Sequence, residues 1–146
     1  MSLMKGKKGL IMGVANERSI AWGISQKLSE NEAELAFTYP GDALKKRVVP
    51  LAESLKSNFT LSCDVEKKED VIRTFNDIKK KWGNLDFVVH AIAFSDRSEL
   101  SGEYLNTSRE NFLRSMLISC FSLTEIAKEA STVSYTHLTL PTILLV

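Results

Sequence analysis

Apolar positions along the chain fall into short uninterrupted runs, separated by longer stretches where they recur every third or fourth residue. That alternation predicts strands and helices in turn. Leu10-Ile11-Met12, between Gly9 and Gly13, has the form of a strand buried on both faces of a parallel sheet. Ser19 to Ser29 follows as a helix with Ile20, Ile24 and Leu28 on its apolar face, and Ala21 and Gly23 are small enough to let it lie close to a sheet. Leu35 to Tyr39 predicts a second strand closed by Pro40-Gly41-Asp42, and Leu44, Val48, Leu51 and Leu55 mark the next helix. Phe59 to Cys63 predicts the third strand. Lys68 to Trp82 predicts a helix facing inward through Val71, Phe75 and Ile78, with Gly83 as a left-handed cap beyond it, and Leu85 to His90 predicts the fourth strand. After a polar stretch, Thr107-Ser108-Arg109-Glu110 has the form of a capping box. It opens a helix that runs to about Ala130 with Phe112, Met116, Cys120 and Leu123 as its buried stripe. Strands alternating with helices across short loops imply parallel pairing through right-handed crossovers, hence a doubly wound parallel α/β sheet.

The end of the chain differs in kind. All 37 charged residues precede Val133, and Val133 to Val146 carry none. The sequence therefore divides into 1–132, one packed unit with four to five strands, and an uncharged tail 133–146, either a fifth buried strand around Leu138 to Leu140 or non-native sequence. The remaining composition excludes more than it specifies. With 44% hydrophobic and 25% charged residues the chain has the balance of one globular domain, not of a disordered or fibrous one. A net charge of +1 gives no electrostatic case for nucleic acid, and Lys45-Lys46-Arg47 and Lys79-Lys80-Lys81 read as solvated helix faces. No apolar run approaches the roughly 20 residues of a membrane span, and no signal peptide is apparent. Cys63 and Cys120 are isolated thiols, and with only His90 and His137 beside them neither a zinc site nor a disulfide framework has spacing support. The cytoplasm is the expected compartment.

In an open α/β sheet, ligands bind outside the carboxyl ends of the strands, so chemistry is sought in the segments that follow them. Gly13-Val14-Ala15-Asn16-Glu17-Arg18-Ser19-Ile20-Ala21 lacks the Gly-x-Gly-x-x-Gly fingerprint. It offers the same physics, because Gly13 permits a close backbone approach and Ser19 with Ile20 can present N–H groups and a hydroxyl at the positive helix end. A tight turn with Ser19 capping the helix accounts for it equally well. After the second strand, Tyr39-Pro40-Gly41 stands where a ribose-binding carboxylate is usual. After the third, Asp64 can accept from an adenine amino group or cap the following helix. After the fourth comes His90-Ala91-Ile92-Ala93-Phe94-Ser95, small enough at Ala91 and Ala93 for a ribose to lie against the backbone, with His90 read as a structural histidine.

Four segments together, Gly13-x5-Ser19-x-Ala21, Ala33 to Tyr39, Cys63-Asp64-Val65 and His90 to Phe94, resemble the N-terminal half of bacterial enoyl-[acyl-carrier-protein] reductases of the FabI type. These are divergent members of the short-chain dehydrogenase/reductase superfamily, and the resemblance covers roughly Leu3 to Ala130. It implies a Rossmann-like fold, truncated here, in which Gly13, Ser19 and Ile20 surround the pyrophosphate and nicotinamide side of NADH. Asp64 and Val65 would meet adenine, Ile92 the ribose, and Ser95 the substrate. Pro40 departs from the Gln many members carry, and Lys45 or Arg47 is in reach of a 2′-phosphate, so NADPH stays open as cofactor. The implied reaction reduces trans-2-enoyl-acyl carrier protein to the saturated thioester in fatty acid elongation, in an enzyme assembled as a homotetramer through its long helices. After the fourth strand this chain has no Tyr-x6-Lys, the segment that carries the family's catalytic acid, and no catalytic residue is assigned. A non-catalytic nucleotide-binding fragment and another short-chain reductase are the alternative functions.

Overall fold

The computed structural model describes residues 2–134. Within them four strands form one parallel sheet: β1 (Lys8–Met12), β2 (Glu34–Tyr39), β3 (Thr60–Ser62) and β4 (Phe87–His90), in the order β3-β2-β1-β4. The helices between them are α1 (Ile20–Glu30), α2 (Gly41–Ser54) and α3 (Lys68–Trp82). After β4 and two short 3-10 turns, α4 (Arg109–Met116) runs through a π-helical turn at Leu117–Phe121 into α5 (Ser122–Ser131). The strand order reverses once. The chain steps outward from β1 through β2 to β3, then returns to pair β4 with the other side of β1, Gly9 against Phe87 and Met12 against His90.

Period-two alternation along the central strands divides the core into two layers. Leu10 and Met12 of β1 pack with Val71, Phe75 and Ile78 of α3 and with Ile118, Ile126 and Ala130. Ile11 packs on the other face with Leu35, Phe37, Trp22, Val48 and Ala52, under α1 and α2. Gly9 belongs to this close packing, since a Cβ built on it would stand 2.0 Å from the Phe87 ring. At the lower edge of the sheet Asp86 accepts from the Lys8 N–H at 2.8 Å and from the Lys7 ammonium at 3.2 Å. Burial opposes its ionisation, but those two donors outweigh burial and its carboxyl is held below the ordinary value.

The expected strands and helices are present with small changes of boundary. β3 and β4 are shorter than Phe59 to Cys63 and Leu85 to His90, although Phe59 O, Cys63 N and Asp86 N still bond to neighbouring strands. The third helix spans Lys68–Trp82 as expected, and Gly83 follows with φ 77°. α1 and α2 end on Glu32 and Lys56, both at positive φ without being glycine, so neither end was signalled in the sequence.

Which faces are buried is where expectation and structure part. In α1 the face against the sheet is Ala21, Trp22 and Ser25, whereas Ile20 is 79% exposed and Ile24 37% exposed. Ser25 satisfies its buried hydroxyl by donating to Ala21 O at 2.7 Å. Gly23 plays no part in close packing, for a Cβ there would meet nothing within 4 Å. The stripe Phe112, Met116, Cys120 and Leu123 is likewise exposed. Asn111, Ile118, Ser122, Ile126 and Ala130 take the inner face, an offset already present in α4 before the π turn. The reason is polar: Ser119 and Ser122 find partners on the β4 side, which no apolar residue at those positions could do. The capping box also differs. Ser108 caps α4 by accepting from Asn111 N–H at 3.1 Å, and the acid that accepts the Ser108 N–H, at 2.9 Å, is Glu99 rather than Glu110.

Val133 is buried and its carbonyl accepts from Leu85 N–H at 3.2 Å, so packing continues one residue past the boundary at 132. Tyr135 and the strand expected at Leu138 to Leu140 lie outside the described residues.

The inner face of α5 is testable in dilute solution. Ile126→Ala is expected to cost about 2–5 kcal/mol in urea unfolding. Cys120 should react with an aromatic disulfide reagent in the native state and Cys63 only on unfolding, because Cys63 is buried and Cys120 exposed. Native protection of Cys120 would show that the helix packs by the other stripe.

Candidate functional site

The reversal between β1 and β4 leaves a crevice at the carboxyl ends of the strands, the place where open α/β sheets bind ligands. A cavity of about 420 Å³ opens there, within the roughly 300–1,000 Å³ usual for small-molecule sites. Its floor is Gly13-Val14-Ala15 from the end of β1 and Ala91 to Phe94 from the end of β4. One wall is Thr38, Pro40 and Leu44 after β2; the other is Cys63 to Glu66 after β3, with Arg114 and Ile118 from the long helix. Of the candidate residues, Gly13, Asp64, Val65 and Ile92 therefore meet around one cavity. Ser19, Ile20 and Ser95 do not line it.

Gly13 is required twice over. Its φ is 109°, a conformation L side chains rarely adopt, and a Cβ on it would lie 2.0 Å from Ala91 O. The missing side chain lets the ends of β1 and β4 close on each other, with Ala91 N–H donating to Met12 O at 2.9 Å. Ser19 then holds the turn. Its Oγ accepts from Ala15 N–H at 3.0 Å and Asn16 N–H at 3.1 Å, and it makes no side-chain bond into α1 although it is the N-cap residue. The hydroxyl thus shapes the Gly13 turn from behind rather than capping the helix. Ile20, exposed at the first position of α1, leaves only backbone to offer a ligand there.

Asp64 accepts from its own turn. Its Oδ1 accepts from Glu66 N–H at 3.1 Å and its Oδ2 stands 3.5 Å from Lys67 Nζ, whereas the N-cap of α3 is Lys67. Asp64 therefore forms the turn before α3 and does not cap it. Its own N–H donates to Asp70 Oδ2 at 3.1 Å, and that bond, with Arg73 at 2.8 Å, lowers the Asp70 carboxyl below its ordinary value. Cys63 next to it is pushed up, chiefly by burial, so at neutral pH it is a thiol in the wall and not a nucleophile.

His90 is structural as expected. Its Nε2 lies 2.8 Å from Ser122 Oγ, and that hydroxyl donates to Ile118 O at 2.7 Å, so Nε2–H is the donor between the two. Burial holds the imidazole below its ordinary pKa. Beyond it the β4 loop is pinned to the long helix: Phe94 N–H donates to Ser119 Oγ at 2.9 Å and Asp96 N–H to Asn111 Oδ1 at 2.8 Å. Ser95 Oγ accepts from Asn111 Nδ2 at 3.2 Å.

Sequence reasoning missed Asn111, Ser119, Glu66 and Arg114. Arg114 donates from Nε and Nη2 to the two oxygens of Glu66 at 2.8 and 2.9 Å, and its guanidinium lies 4.4 Å from the Phe94 ring centroid. Glu66 and Arg114 are 48 positions apart, and no local pattern links them. The Tyr-x6-Lys spacing does occur once, at Tyr39 and Lys46, but Tyr39 is 8% exposed at the end of β2 and Lys46 is exposed on α2. No tyrosine among the described residues lines the cavity.

The family model described as enoyl-(acyl carrier protein) reductase matches residues 13–138. The chain belongs to the enoyl-(acyl carrier protein) reductase family. An enoyl-[acyl-carrier-protein] reductase [NADH] of Rhizobium meliloti is 61% identical over 129 residues, which are 88% of this chain and 48% of that protein. The crystal structure of the Anaplasma phagocytophilum reductase in complex with NAD shares 53% identity and a TM-score of 0.85, over 89% of this chain and 50% of that one. FabI from Candidatus Liberibacter asiaticus shares 52% identity with a TM-score of 0.88, over 91% of this chain and 52% of that one. The chain thus spans about half the length of the reductases it matches.

Charge at the cavity gives stability a small pH dependence, because the ion pair that carries it is partly exposed. The Arg114 hydrogen bonds hold the Glu66 carboxyl below its ordinary value. A depressed carboxylate contributes stability that is fully present above its unfolded pKa and is lost as pH falls through the folded value. Melting temperature should therefore drop on the acid side of about pH 4.3, and the drop should be shallower in Glu66→Gln. Thermal melts at pH 7 and pH 3.5 decide it; equal drops in the two proteins would show that the pair carries no linkage.

Proposed function

We propose that this chain forms the NADH-binding half of an enoyl-[acyl-carrier-protein] reductase, a protein that reduces trans-2-enoyl thioesters on acyl carrier protein. The observation that carries the reading is the cavity at the β1–β4 reversal, where Gly13, Asp64, Val65 and Ile92 come together. In this reading the Gly13 turn, kept open by Ser19, receives the pyrophosphate on backbone N–H groups that include Ile20. Asp64, an acceptor between Glu66 N–H and Lys67, takes the adenine amino group, with Val65 beside the ring. Ile92 lies along the ribose, and Ser95, outside the cavity and fixed by Asn111, faces the substrate side. No carboxylate ends β2 to bind a 2′-hydroxyl, so NADPH is a second cofactor to be tried.

When bound, NADH supplies a hydride to the β-carbon of the enoyl thioester. The residues here bind and orient, and the Cys63 and Ile118 walls exclude water. Negative charge collecting on the thioester oxygen needs a donor, worth on the order of 10²–10³ in rate. Neither a tyrosine nor a lysine is among the described residues that line the cavity. NADH titrated into the 146-residue chain is therefore expected to bind saturably, with no oxidation when crotonyl thioester is added, and Asp64→Ala should weaken binding by about 5- to 10-fold. Turnover by the chain alone would overturn the assignment of binding without catalysis, and absence of NADH binding would overturn the site.

The exposed stripe of Phe112, Leu113, Met116, Phe121 and Leu123 supports assembly of the whole reductase, as a homotetramer, through the α4–α5 face. None of the described helices is long and apolar enough to cross a membrane, which suits work in the cytoplasm. Sedimentation should show concentration-dependent self-association of the chain that Phe112→Glu with Leu123→Glu reduces. A monodisperse monomer at every concentration would contradict the interface.

A further inference from the structure

We propose that Arg114 is a positioning residue of the dinucleotide site, latching the loops after β3 and β4 to one another across the adenine end of the cavity. The inference rests on the dinucleotide reading above and adds a residue to it.

Three side chains from three elements meet at this point. Arg114 projects from α4, Glu66 follows Asp64-Val65, and Phe94 follows Ile92-Ala93; all three line the cavity. The guanidinium fork engages both Glu66 oxygens, at 2.8 and 2.9 Å, while its face lies 4.4 Å from the centre of the Phe94 ring. One planar cation thus holds both loops at once. Lysine could reach one carboxylate oxygen as a point charge but could not form the bidentate pair and stack in the same pose.

The two loops are anchored unequally. Phe94 has a second tie to the long helix, its N–H donating to Ser119 Oγ at 2.9 Å and its carbonyl accepting from the same hydroxyl at 3.2 Å. The loop after β3 reaches α4 through Glu66. Losing the latch therefore releases the backbone around Val65 more than that around Ile92, and a ligand must then order it on binding. The pair stands at the cavity mouth, with the Arg114 side chain 50% and the Glu66 side chain 29% exposed. An ion pair so exposed adds little to global stability. Its effect falls on the ligand.

The test is calorimetric titration of the full 146-residue chain with NADH, with ADP-ribose and with reduced nicotinamide mononucleotide. Arg114→Leu is expected to weaken NADH and ADP-ribose by about 3- to 10-fold, with nicotinamide mononucleotide binding unchanged and the ligand-free melting temperature at neutral pH only slightly lowered. Arg114→Lys should recover part of the loss. In a Glu66→Gln background Arg114→Leu should weaken ADP-ribose by less than it does in the wild type, since the two residues act as one unit. Unchanged ADP-ribose affinity in Arg114→Leu, equal weakening of both halves, or full additivity of the two substitutions would each overturn the latch. If the wild-type chain binds neither NADH nor ADP-ribose, the dinucleotide reading fails and the latch falls with it; wild-type binding that Arg114→Leu leaves intact removes the latch alone.

Discussion

The closure of β1 on β4 at Gly13 and Ala91 is the constraint from which the site follows. Two parallel strands from distant parts of the chain must come within backbone contact where the sheet reverses direction, and a Cβ on residue 13 would stand 2.0 Å from Ala91 O. A chain with any side chain there would have to part the strand ends or distort the turn. With glycine, Met12 O accepts from Ala91 N–H and the crevice beyond has a floor made of backbone and small residues. Such a floor presents backbone groups, with no long side chain between them and whatever occupies the crevice.

Around that floor the walls are set by polar contacts that reach between elements. Ser19 closes the first turn, Asp70 holds the Asp64 N–H, and Ser119 and Asn111 bind the loop after β4. Most of these are side-chain to backbone bonds, which fix loops without the need for regular structure. The same bonds choose the orientation of the long helix. Ser122 beside His90 and Ser119 beside Phe94 face the sheet side of the helix, where each bonds to the β4 segment. Phe112, Met116 and Leu123 are left outside as the consequence. One set of hydrogen bonds thus shapes the loops beside the cavity and exposes an apolar face on the opposite side of the helix.

Membership of the enoyl reductase family and the reach of the match, about half of each related protein, fit this picture. Tyrosine and lysine are absent from the described residues that line the cavity, whose polar groups include the Thr38 hydroxyl, the Cys63 thiol and the Arg114 guanidinium.

Much of this was legible in the residues themselves. Four strands, the bounds of α3, the glycine at the reversal and the positions of Asp64, Val65 and Ile92 were all readable, because strand and helix periods and glycine's steric freedom act over a few neighbouring residues. The exposed Ile20 and Ile24 were misread because Ala21 and Ser25 recur with the same period, and only packing against the sheet shows that they, with Trp22, are the buried set. The stripe on α4 and α5 was misread because the neighbouring positions Asn111, Ile118 and Ser122 recur with the same period, and the serines among the inward residues have partners on β4 and the loop after it. Glu66 and Arg114 were not readable at all. The chain by itself determined the elements and the backbone of the cradle, which depend on local sterics and periodicity. Tertiary structure alone decided which helix faces are buried and that two residues 48 positions apart form one contact, because both depend on how separate elements pack against the same sheet.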